Sequence, residues 1–377
     1  MTNTNKINPH FKTEVANTLQ WVIPTADSST LDTTLSAWNN FKNLLAETQA
    51  AGQLFNKTVV STYSLVTTRV SSFLGGVLAP NGDIHLVPAA SPVGQKISLT
   101  GVVSTYSLVY SVSLMSAGGV LDPNGNIHFI PYSASVGQKI DINGVVSTYS
   151  LVYTTAGAYR GGVLDPNGNI YFVPCFTSVG QMVSPTGVVS TYSLVYTTFN
   201  AYNGGVLAPN GDIHFVPYLA SVGQKISASG VVSTYSLVYT NSGGSYFGGV
   251  LSPNGDIHFV PFEASVGQKI SASGVVSTYS LVYTNSTGAY YSGVLAPNGD
   301  IHFVPYNAIV GQKISASGVV STYSLAYTVS HAHAGGVLTP NGDIHLIPYS
   351  ATVGQKITTY SGMNLNMVAL HPFFNKL

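Results

Sequence analysis

Short runs in which apolar and polar residues alternate recur along most of the chain, and turn residues separate them. The run Val-Val-Ser-Thr-Tyr-Ser-Leu-Val-Tyr-Thr is rich in β-branched and aromatic residues, which favour a half-buried strand. Gly-Gly-Val-Leu then leads into Pro-Asn-Gly, a tight-turn sequence, and Asp-Ile-His-Phe-Val-Pro follows the turn. With Gly-Gln-Lys-Ile-Ser as the remaining run, the pattern predicts four short antiparallel strands in each unit.

The unit occurs seven times, at intervals of 43 or 44 residues. Its tight turn begins at Pro80, Pro123, Pro166, Pro209, Pro253, Pro297 and Pro340. A period of this length that is built from four short strands is typical of a propeller blade. The sequence therefore predicts an all-β fold, a seven-bladed β-propeller of four-stranded antiparallel blades.

The phase of the repeat predicts how the ring closes. The repeat opens with an outermost-type strand at Thr58–Val66 and ends with a third strand at Gln355–Thr358. We therefore expect the first strand to complete the last blade, which would cover two sheet edges that are otherwise exposed.

The segment that precedes the repeat follows a different pattern. Leu35, Trp38, Phe41 and Leu45 succeed one another at three- or four-residue steps, which is the spacing of one helix face. This predicts a helical N-terminal extension over residues 1–56, a propeller over 57–360 and a C-terminal tail over 361–377. The extension is interpreted either as a brace packed on the ring or as a docking arm for another protein.

Composition and charge limit the classes of function that the sequence supports. Charged residues make up 7% of the 377 residues and the net charge is zero, so no basic field indicates a nucleic-acid partner. No run of about 18 apolar residues predicts a membrane span. The polar start, Met1-Thr-Asn-Thr-Asn-Lys, lacks the apolar core of a secretory signal, so we expect a cytoplasmic or virion-associated protein.

The seven copies differ mainly in two connections, which a four-stranded antiparallel blade places on the same face of the ring. One connection runs from the outermost strand to the next innermost strand, and the other joins the second and third strands. These connections contain aromatic residues among Ser, Gly, Asn and Thr, which is the composition of loops that bind partners. The alternative is that surface loops without a function vary freely. The candidate partner-binding residues are Phe73, Tyr159, Arg160, Phe199, Tyr202, Tyr246, Phe247, Tyr290, Tyr291, His331 and His333.

Metal and catalytic sites find little support in the sequence. Six blades carry a histidine at one position of the second strand, and we expect these rings to be buried and hydrogen-bonded to a hydroxyl of the Ser-Thr-Tyr-Ser strand. His331 and His333 share a side of an extended segment, but no third metal ligand is visible nearby. The propeller contains a single glutamate, Glu263, and no nucleophile or metalloprotease motif. We therefore predict no catalytic residue, no metal and no cofactor, because a near-symmetric ring is expected to lack an asymmetric site.

The charged residues follow the repeat. Each tight turn carries one aspartate, and the lysines of the third strand are expected at the opposite rim of the ring. The lysines are Lys96, Lys139, Lys225, Lys269, Lys313 and Lys356. This predicts one acidic and one basic face, with the alternative that each charge only solubilises its own blade.

In the motifs Gly-Gly-Val-Leu, Pro-Asn-Gly and Ser-Thr-Tyr-Ser-Leu, residues 57–360 resemble WD-repeat and kelch-type propellers in architecture. The Gly-His and Trp-Asp marks of WD repeats and the Gly-Gly…Tyr…Trp arrangement of kelch repeats are absent. The phrase Gly-Gly-Val-Leu-Ala-Pro-Asn-Gly-Asp-Ile-His-Phe-Val-Pro is similar to repeats of microbial and viral propellers. The resemblance implies the fold and brings no activity with it.

These observations predict a non-enzymatic binding or structural module, a propeller scaffold in a larger assembly such as a virus particle. Its partner would be a protein bound through the varied loop face and the terminal segments. The alternative is a multivalent lectin that binds glycans with its Tyr-rich loops. The lectin is the weaker alternative because no Trp lies in the ring and Arg69 and Arg160 are its only arginines.

Overall fold

The computed structural model describes residues 58–359, which form seven four-stranded antiparallel sheets. The predicted seven-bladed, all-β propeller is confirmed. The predicted helical extension over 1–56 and the tail over 361–377 lie outside the described residues. Within the described part of the chain, no helix is suited to crossing a membrane.

The strands of residues 58–359 are, in chain order, β1 (Val59–Ser64), β2 (Phe73–Leu78), β3 (Ile84–Pro88), β4 (Val93–Ile97), β5 (Val103–Ser107), β6 (Ser116–Leu121), β7 (Ile127–Pro131), β8 (Val136–Ile140), β9 (Val146–Ser150), β10 (Tyr159–Leu164), β11 (Ile170–Pro174), β12 (Val179–Val183), β13 (Val189–Ser193), β14 (Tyr202–Leu207), β15 (Ile213–Pro217), β16 (Val222–Ile226), β17 (Val232–Ser236), β18 (Tyr246–Leu251), β19 (Ile257–Pro261), β20 (Val266–Ile270), β21 (Val276–Ser280), β22 (Tyr290–Leu295), β23 (Ile301–Pro305), β24 (Val310–Ile314), β25 (Val320–Ser324), β26 (His333–Leu338), β27 (Asp343–Pro348) and β28 (Val353–Thr358).

Six blades are built from four consecutive strands, starting with β2–β5 as the first blade and ending with β22–β25 as the sixth. The seventh sheet has the order β1-β28-β27-β26, so the first strand of the chain is the outermost strand of the last blade. In every blade the Gly-Gly-Val-Leu strand is innermost and the Ser-Thr-Tyr-Ser strand is outermost.

The core lies between blades. In one cluster, Val163 and Val173 of the third blade pack with Tyr202, Ile213 and Phe215 of the fourth. Each blade therefore buries its apolar face against its neighbour, which is how repeats that cannot bury a core alone become stable in an array.

A glycine, a tyrosine and a histidine form a repeated unit within six of the seven sheets, and Tyr171 replaces the histidine in the third blade. In the fourth blade Gly223 lies opposite Tyr235, and a Cβ at Gly223 would overlap the tyrosine ring. The ring thus covers the glycine, and its hydroxyl lies 3.3 Å from Nδ1 of the buried His214. The predicted hydrogen bond between a buried histidine and the Ser-Thr-Tyr-Ser strand is confirmed here. The same pairing occurs at His128, His258, His302 and His345.

The predicted separation of acidic and basic faces is wrong. Lys225 is the penultimate residue of its strand rather than the first, and its Nζ lies 2.7 Å from Oδ2 of Asp212 in the same blade. Equivalent ion pairs join Lys96 to Asp83, Lys269 to Asp256 and Lys313 to Asp300. The charges of these blades therefore neutralise one another at the tight turn.

In the second and third blades the aspartate precedes the turn proline and has other partners. Asp122 accepts a hydrogen bond from Asn126 Nδ2 and lies 3.2 Å from His128 Nε2. In the third blade, Asp165 accepts from Asn169 Nδ2, and Met182 stands where other blades have lysine. The position of the aspartate thus changes with the partners available in each blade.

Burial keeps the blade histidines uncharged. It lowers the pKa of His85, His214, His258 and His302 from the usual 6.5 to about 4, and the neighbouring lysine acts in the same direction. At Asp212, burial favours the neutral acid, but the hydrogen bond from Lys225 and its charge outweigh burial, so the pKa of the carboxyl is lowered.

Because these histidines are buried without charge, we predict that acid lowers the stability of the ring. Between pH 6.5 and about 4 the unfolded chain binds protons that the folded ring excludes, so the free energy of unfolding should fall as the pH falls through this window. Each histidine contributes up to about 1.4 kcal/mol per pH unit. The slope of the free energy of unfolding against pH measures the protons taken up on unfolding. His214→Gln should reduce this uptake by up to one proton, and adding His258→Gln should reduce it by up to one more. Denaturant unfolding at a series of pH values measures the slopes, and a flat curve from pH 6.5 to 4 would contradict the account.

The innermost strands meet at the axis through glycine. A Cβ at Gly118 would lie 3.0 Å from the Cα of Gly161, and a Cβ at Gly161 would lie 3.1 Å from the Cα of Gly204. Both glycines also have positive φ, at +100° and +86°. At Gly118 and Gly161 the adjacent backbones therefore approach too closely for a side chain, although the sixth blade carries Ser292 at the equivalent position.

We predict that Gly161→Ala destabilises the ring more than Gly144→Ala. Both residues have φ near +85°, but a Cβ at Gly144 meets nothing within 4 Å. The two variants share a conformational cost of about 1–2 kcal/mol. Gly161→Ala should lose about 1–3 kcal/mol more, because the new methyl presses on the next blade. Chemical denaturation measures both variants, and equal losses would show that contact at the axis is not the constraint.

Candidate functional site

A bulge at the start of each innermost strand redirects one side chain. In the fourth blade Tyr202 pairs with Pro217 and Gly205 pairs with Phe215, so Asn203 and Gly204 interrupt the regular register. Bulges of this kind commonly re-aim a side chain next to a functional site. Here the re-aimed residue is the second residue of the strand.

These second residues line a cavity of about 230 Å³ on the axis, together with the two glycines that follow each of them in most blades. In blade order the second residues are Leu74, Ala117, Arg160, Asn203, Phe247, Tyr291 and Ala334. Ligand sites are usually concave and mostly apolar with a few convergent polar groups, and this cavity has that character at the small end of their size range.

The cavity is the place where the ring loses its symmetry. The strand position after the second residue is glycine in six blades and Ser292 in the sixth, and the next position is glycine in all seven. The second residue itself differs between almost all blades. Small apolar residues stand on the side of the seventh, first and second blades, whereas Arg160, Asn203, Phe247 and Tyr291 occupy the other side.

A second ring of residues, here called the crown, stands next to the cavity. The crown residues each follow the proline that ends the second strand, and they are Ala89, Tyr132, Cys175, Tyr218, Phe262, Tyr306 and Tyr349. Aromatic rings connect the crown to the cavity. The centroid of Tyr291 lies 3.9 Å from that of Phe247 and 5.4 Å from that of Tyr306, and Tyr218 lies 5.6 Å from Phe247.

Backbone hydrogen bonds hold the varied connections against the crown. Asn200 N donates to Cys175 O at 2.9 Å, and Ala332 N donates to Tyr306 O at 2.8 Å. Each of these bonds joins a connection to the crown residue of the preceding blade. The two varied connections therefore meet around the mouth of the cavity.

Arg160 is a cation without an ion-pair partner among residues 58–359. Its Cζ lies 4.8 Å from the ring centroid of Tyr132 and 5.2 Å from that of Phe247, which are cation–π distances. Its Nε is buried and donates no hydrogen bond to a described residue. Burial favours loss of the proton, but Tyr291, Cys175 and Tyr132 outweigh it, so the pKa of the guanidinium is raised and the charge is kept.

Asn203 is a second donor at the same cavity. Its side chain is fully buried, and Nδ2 has no hydrogen-bond partner among the described residues. Its Oδ1 lies 3.5 Å from Sγ of Cys175, which also lies 3.0 Å from Asn200 Oδ1. Burial raises the pKa of the Cys175 thiol to about 11, so the sulfur keeps its proton and acts as the donor. The sulfur that carries this single proton is closer to the Asn200 oxygen than to the Asn203 oxygen, and the NH₂ group of Asn203 has no partner among the described residues.

Five of the predicted site residues lie at the cavity or around its mouth. Arg160, Phe247 and Tyr291 line the cavity itself. Phe199 is 69% exposed and packs on Phe176, with 4.3 Å between ring centroids. His331 is exposed and lies 4.6 Å from the ring of Tyr306, a crown residue.

The other six do not belong to exposed loops, contrary to the sequence interpretation. They are Phe73, Tyr159, Tyr202, Tyr246, Tyr290 and His333, all at most 1% exposed. Each is the first residue of an innermost strand, and its side chain is buried in the core. The hydroxyl of Tyr202, for example, donates to Val222 O at 3.1 Å. His333 is buried while His331 is exposed, so the two do not share an environment, and the described residues contain no group of three or more potential metal ligands.

The sequence interpretation missed Asn203 and most of the crown. A signal was present, because the second strand residue and the residue after proline both vary among copies that are otherwise nearly identical. The pattern of alternation does not show which of two successive residues a bulge turns toward the axis. Cys175 is the single cysteine of the chain, but its residue type alone does not place it beside a cavity.

Comparison with known proteins supports the fold. The sequence matches no protein-family model and no curated protein. Among solved structures, streptogramin B lyase is similar, with a TM-score of 0.71 and 17% identity, covering 81% of this chain and 98% of that chain. A catalytically inactive histidine-to-alanine variant of virginiamycin B lyase from Staphylococcus aureus, with quinupristin, has a TM-score of 0.70 and 16% identity, covering 80% and 99%. Hydrazine synthase of Kuenenia stuttgartiensis has a TM-score of 0.59 and 14% identity, covering 79% and 98%.

The prediction of a non-enzymatic binding or structural module is wrong. The same ring architecture occurs in streptogramin B lyase and virginiamycin B lyase, which are enzymes. The prediction excluded catalysis because near-identical blades were expected to lack an asymmetric site. The side chains that line the cavity on the axis differ in size and polarity from blade to blade, so the cavity is asymmetric and that argument fails.

Proposed function

We propose that the ring holds a small organic substrate or ligand in the cavity on the axis. The observation that carries the proposal is the placement of the sequence differences. The blades keep the same glycines, turns and core residues, yet the seven side chains that face the cavity include an arginine, an asparagine, a phenylalanine and a tyrosine. A structural plug would need only apolar side chains of suitable size.

The energetic cost of the polar residues supports a ligand. A buried donor without a partner costs about 1–3 kcal/mol, more when it carries charge. Arg160 Nε and Asn203 Nδ2 are both buried without a partner among the described residues, and both belong to residues that line one cavity. An occupant with hydrogen-bond acceptors would remove this cost. Drift of an unused surface gives no reason for two such groups in adjacent blades.

The aromatic side chains support an organic occupant. Phe247 and Tyr291 lie in contact and line one side of the cavity, and the apolar cluster of Leu74, Ala117 and Ala334 lines the other side. Aromatic and aliphatic walls suit a planar ring better than a hydrated ion. The exposed His331 beside Tyr306 places a group capable of proton transfer at the mouth.

Filling the cavity tests this function. Ala117→Leu places there the same side chain that Leu74 provides in the first blade, so the fold should accept it. We expect wild-type protein to bind 4-fluorophenol, a neutral aromatic probe, in fluorine NMR titrations, and Ala117→Leu to bind it at least about 10-fold more weakly.

The matched control is Ala316→Leu, at an exposed turn residue that does not line the cavity. It should bind the probe as wild type does. No binding by wild-type protein, or equal binding by Ala117→Leu at unchanged stability, would refute the proposal.

A further inference from the structure

We propose that the occupant of the cavity is a small aromatic carboxylic acid, bound as its carboxylate to Arg160 and Asn203. This inference rests on the proposed function, because it names the class of molecule that the same site would take. It follows from the charge of the cavity, the polarity of its free groups and the shape of its walls.

The cavity carries a positive charge, Arg160, that no acidic residue among residues 58–359 balances through an ion pair. Arg160 forms no ion pair with a described residue, and none of the cavity-lining residues is acidic. Seven of the eight aspartates of residues 58–359 belong to the tight turns, where lysine, asparagine, histidine or threonine side chains pair with them. The eighth, Asp141, accepts backbone hydrogen bonds in the turn between β8 and β9. Leaving a buried cation without a counter-charge is costly, so an anionic occupant would be favoured.

The free polar groups are both donors. The N–H of Arg160 Nε and the NH₂ of Asn203 have no partner among the described residues, and both require acceptors. A carboxylate has two oxygens that accept hydrogen bonds and no donor. It therefore matches one arginine and one amide on adjacent strands. A dianionic phosphate would bring a second charge that this cavity does not balance.

The walls define the rest of the molecule. The Phe247 and Tyr291 rings, 3.9 Å apart between centroids, form an aromatic wall close to Arg160, whose Cζ lies 5.2 Å from the Phe247 ring. A cavity of about 230 Å³ has room for a single ring and its carboxylate. The small residue Cys175 stands where four other blades carry a crown tyrosine, and its Sγ lies 3.5 Å from Asn203 Oδ1.

Calorimetric titration with benzoate, its neutral analogue benzamide, and phenyl phosphate tests the proposal on the full chain. We expect benzoate to bind at least about 10-fold more tightly than benzamide and more tightly than phenyl phosphate. Arg160→Gln should abolish the preference for benzoate, whereas Arg69→Gln, at the exposed arginine of the ring, should retain it. Asn203→Asp should also abolish benzoate binding, because the new carboxylate takes the place of the ligand beside Arg160.

The outcomes separate this inference from the proposed function. If benzamide binds as tightly as benzoate, or Arg160→Gln leaves the preference unchanged, the anion assignment is overturned while a neutral ligand site remains. If phenyl phosphate binds best, the cavity is an anion site but the carboxylate class is wrong. If neither 4-fluorophenol nor benzoate binds, both proposals fail. Retained 4-fluorophenol binding by Arg160→Gln and Asn203→Asp shows that these variants are folded around an intact cavity.

Discussion

Seven innermost strands must approach one axis, and most of their backbones come so close that a side chain has little room between them, with Ser292 of the sixth blade as the exception. A Cβ at Gly118 or Gly161 would press on the Cα of the next blade's glycine. Glycine at this point satisfies both the close approach and the positive φ. The bulge that carries this glycine then determines where its neighbours point. The residue before it lines the axial cavity, and the residue one step earlier is buried in the core between blades.

Within the first few residues of each innermost strand, some positions stabilise the ring and others face the cavity. The core tyrosines, the Gly–Tyr–His units and the ion pairs at the turns repeat around the ring, so the blades pack alike. The residue that faces the cavity contributes less to this packing and can differ from blade to blade. A nearly symmetric scaffold thereby acquires one asymmetric cavity, with Arg160 and Asn203 on one side and Leu74, Ala117 and Ala334 on the other. Structural similarity to streptogramin B lyase supports the ring fold itself.

The seven-bladed architecture could be predicted because the period and the turn residues are visible directly in the repeated sequence. The sequence also predicted buried, hydrogen-bonded histidines such as His214, because a histidine recurs at this position of the second strand in six separate blades. The position of Lys225 was predicted wrongly, because it depends on the exact residue at which its strand ends. Tyr246 was assigned to a loop, although it is the first residue of a strand and is buried. Strand ends and bulges depend on contacts between blades, and a local pattern of alternation does not encode them. Arg160, Phe247 and Tyr291 were identified as candidates for their residue type, but their convergence on the axis required the ring itself.

The central claim is that the asymmetric cavity on the axis is a site for a small molecule. The most direct measurement is a crystal structure of the full chain soaked with 4-bromobenzoate, in which anomalous scattering locates the bromine. The account predicts one bromine peak on the axis, against the aromatic wall of Phe247 and Tyr291, with the carboxylate within hydrogen-bond distance of Arg160 and Asn203. Bromine peaks only in the exposed loops or between blades, with the axial cavity empty, would contradict it.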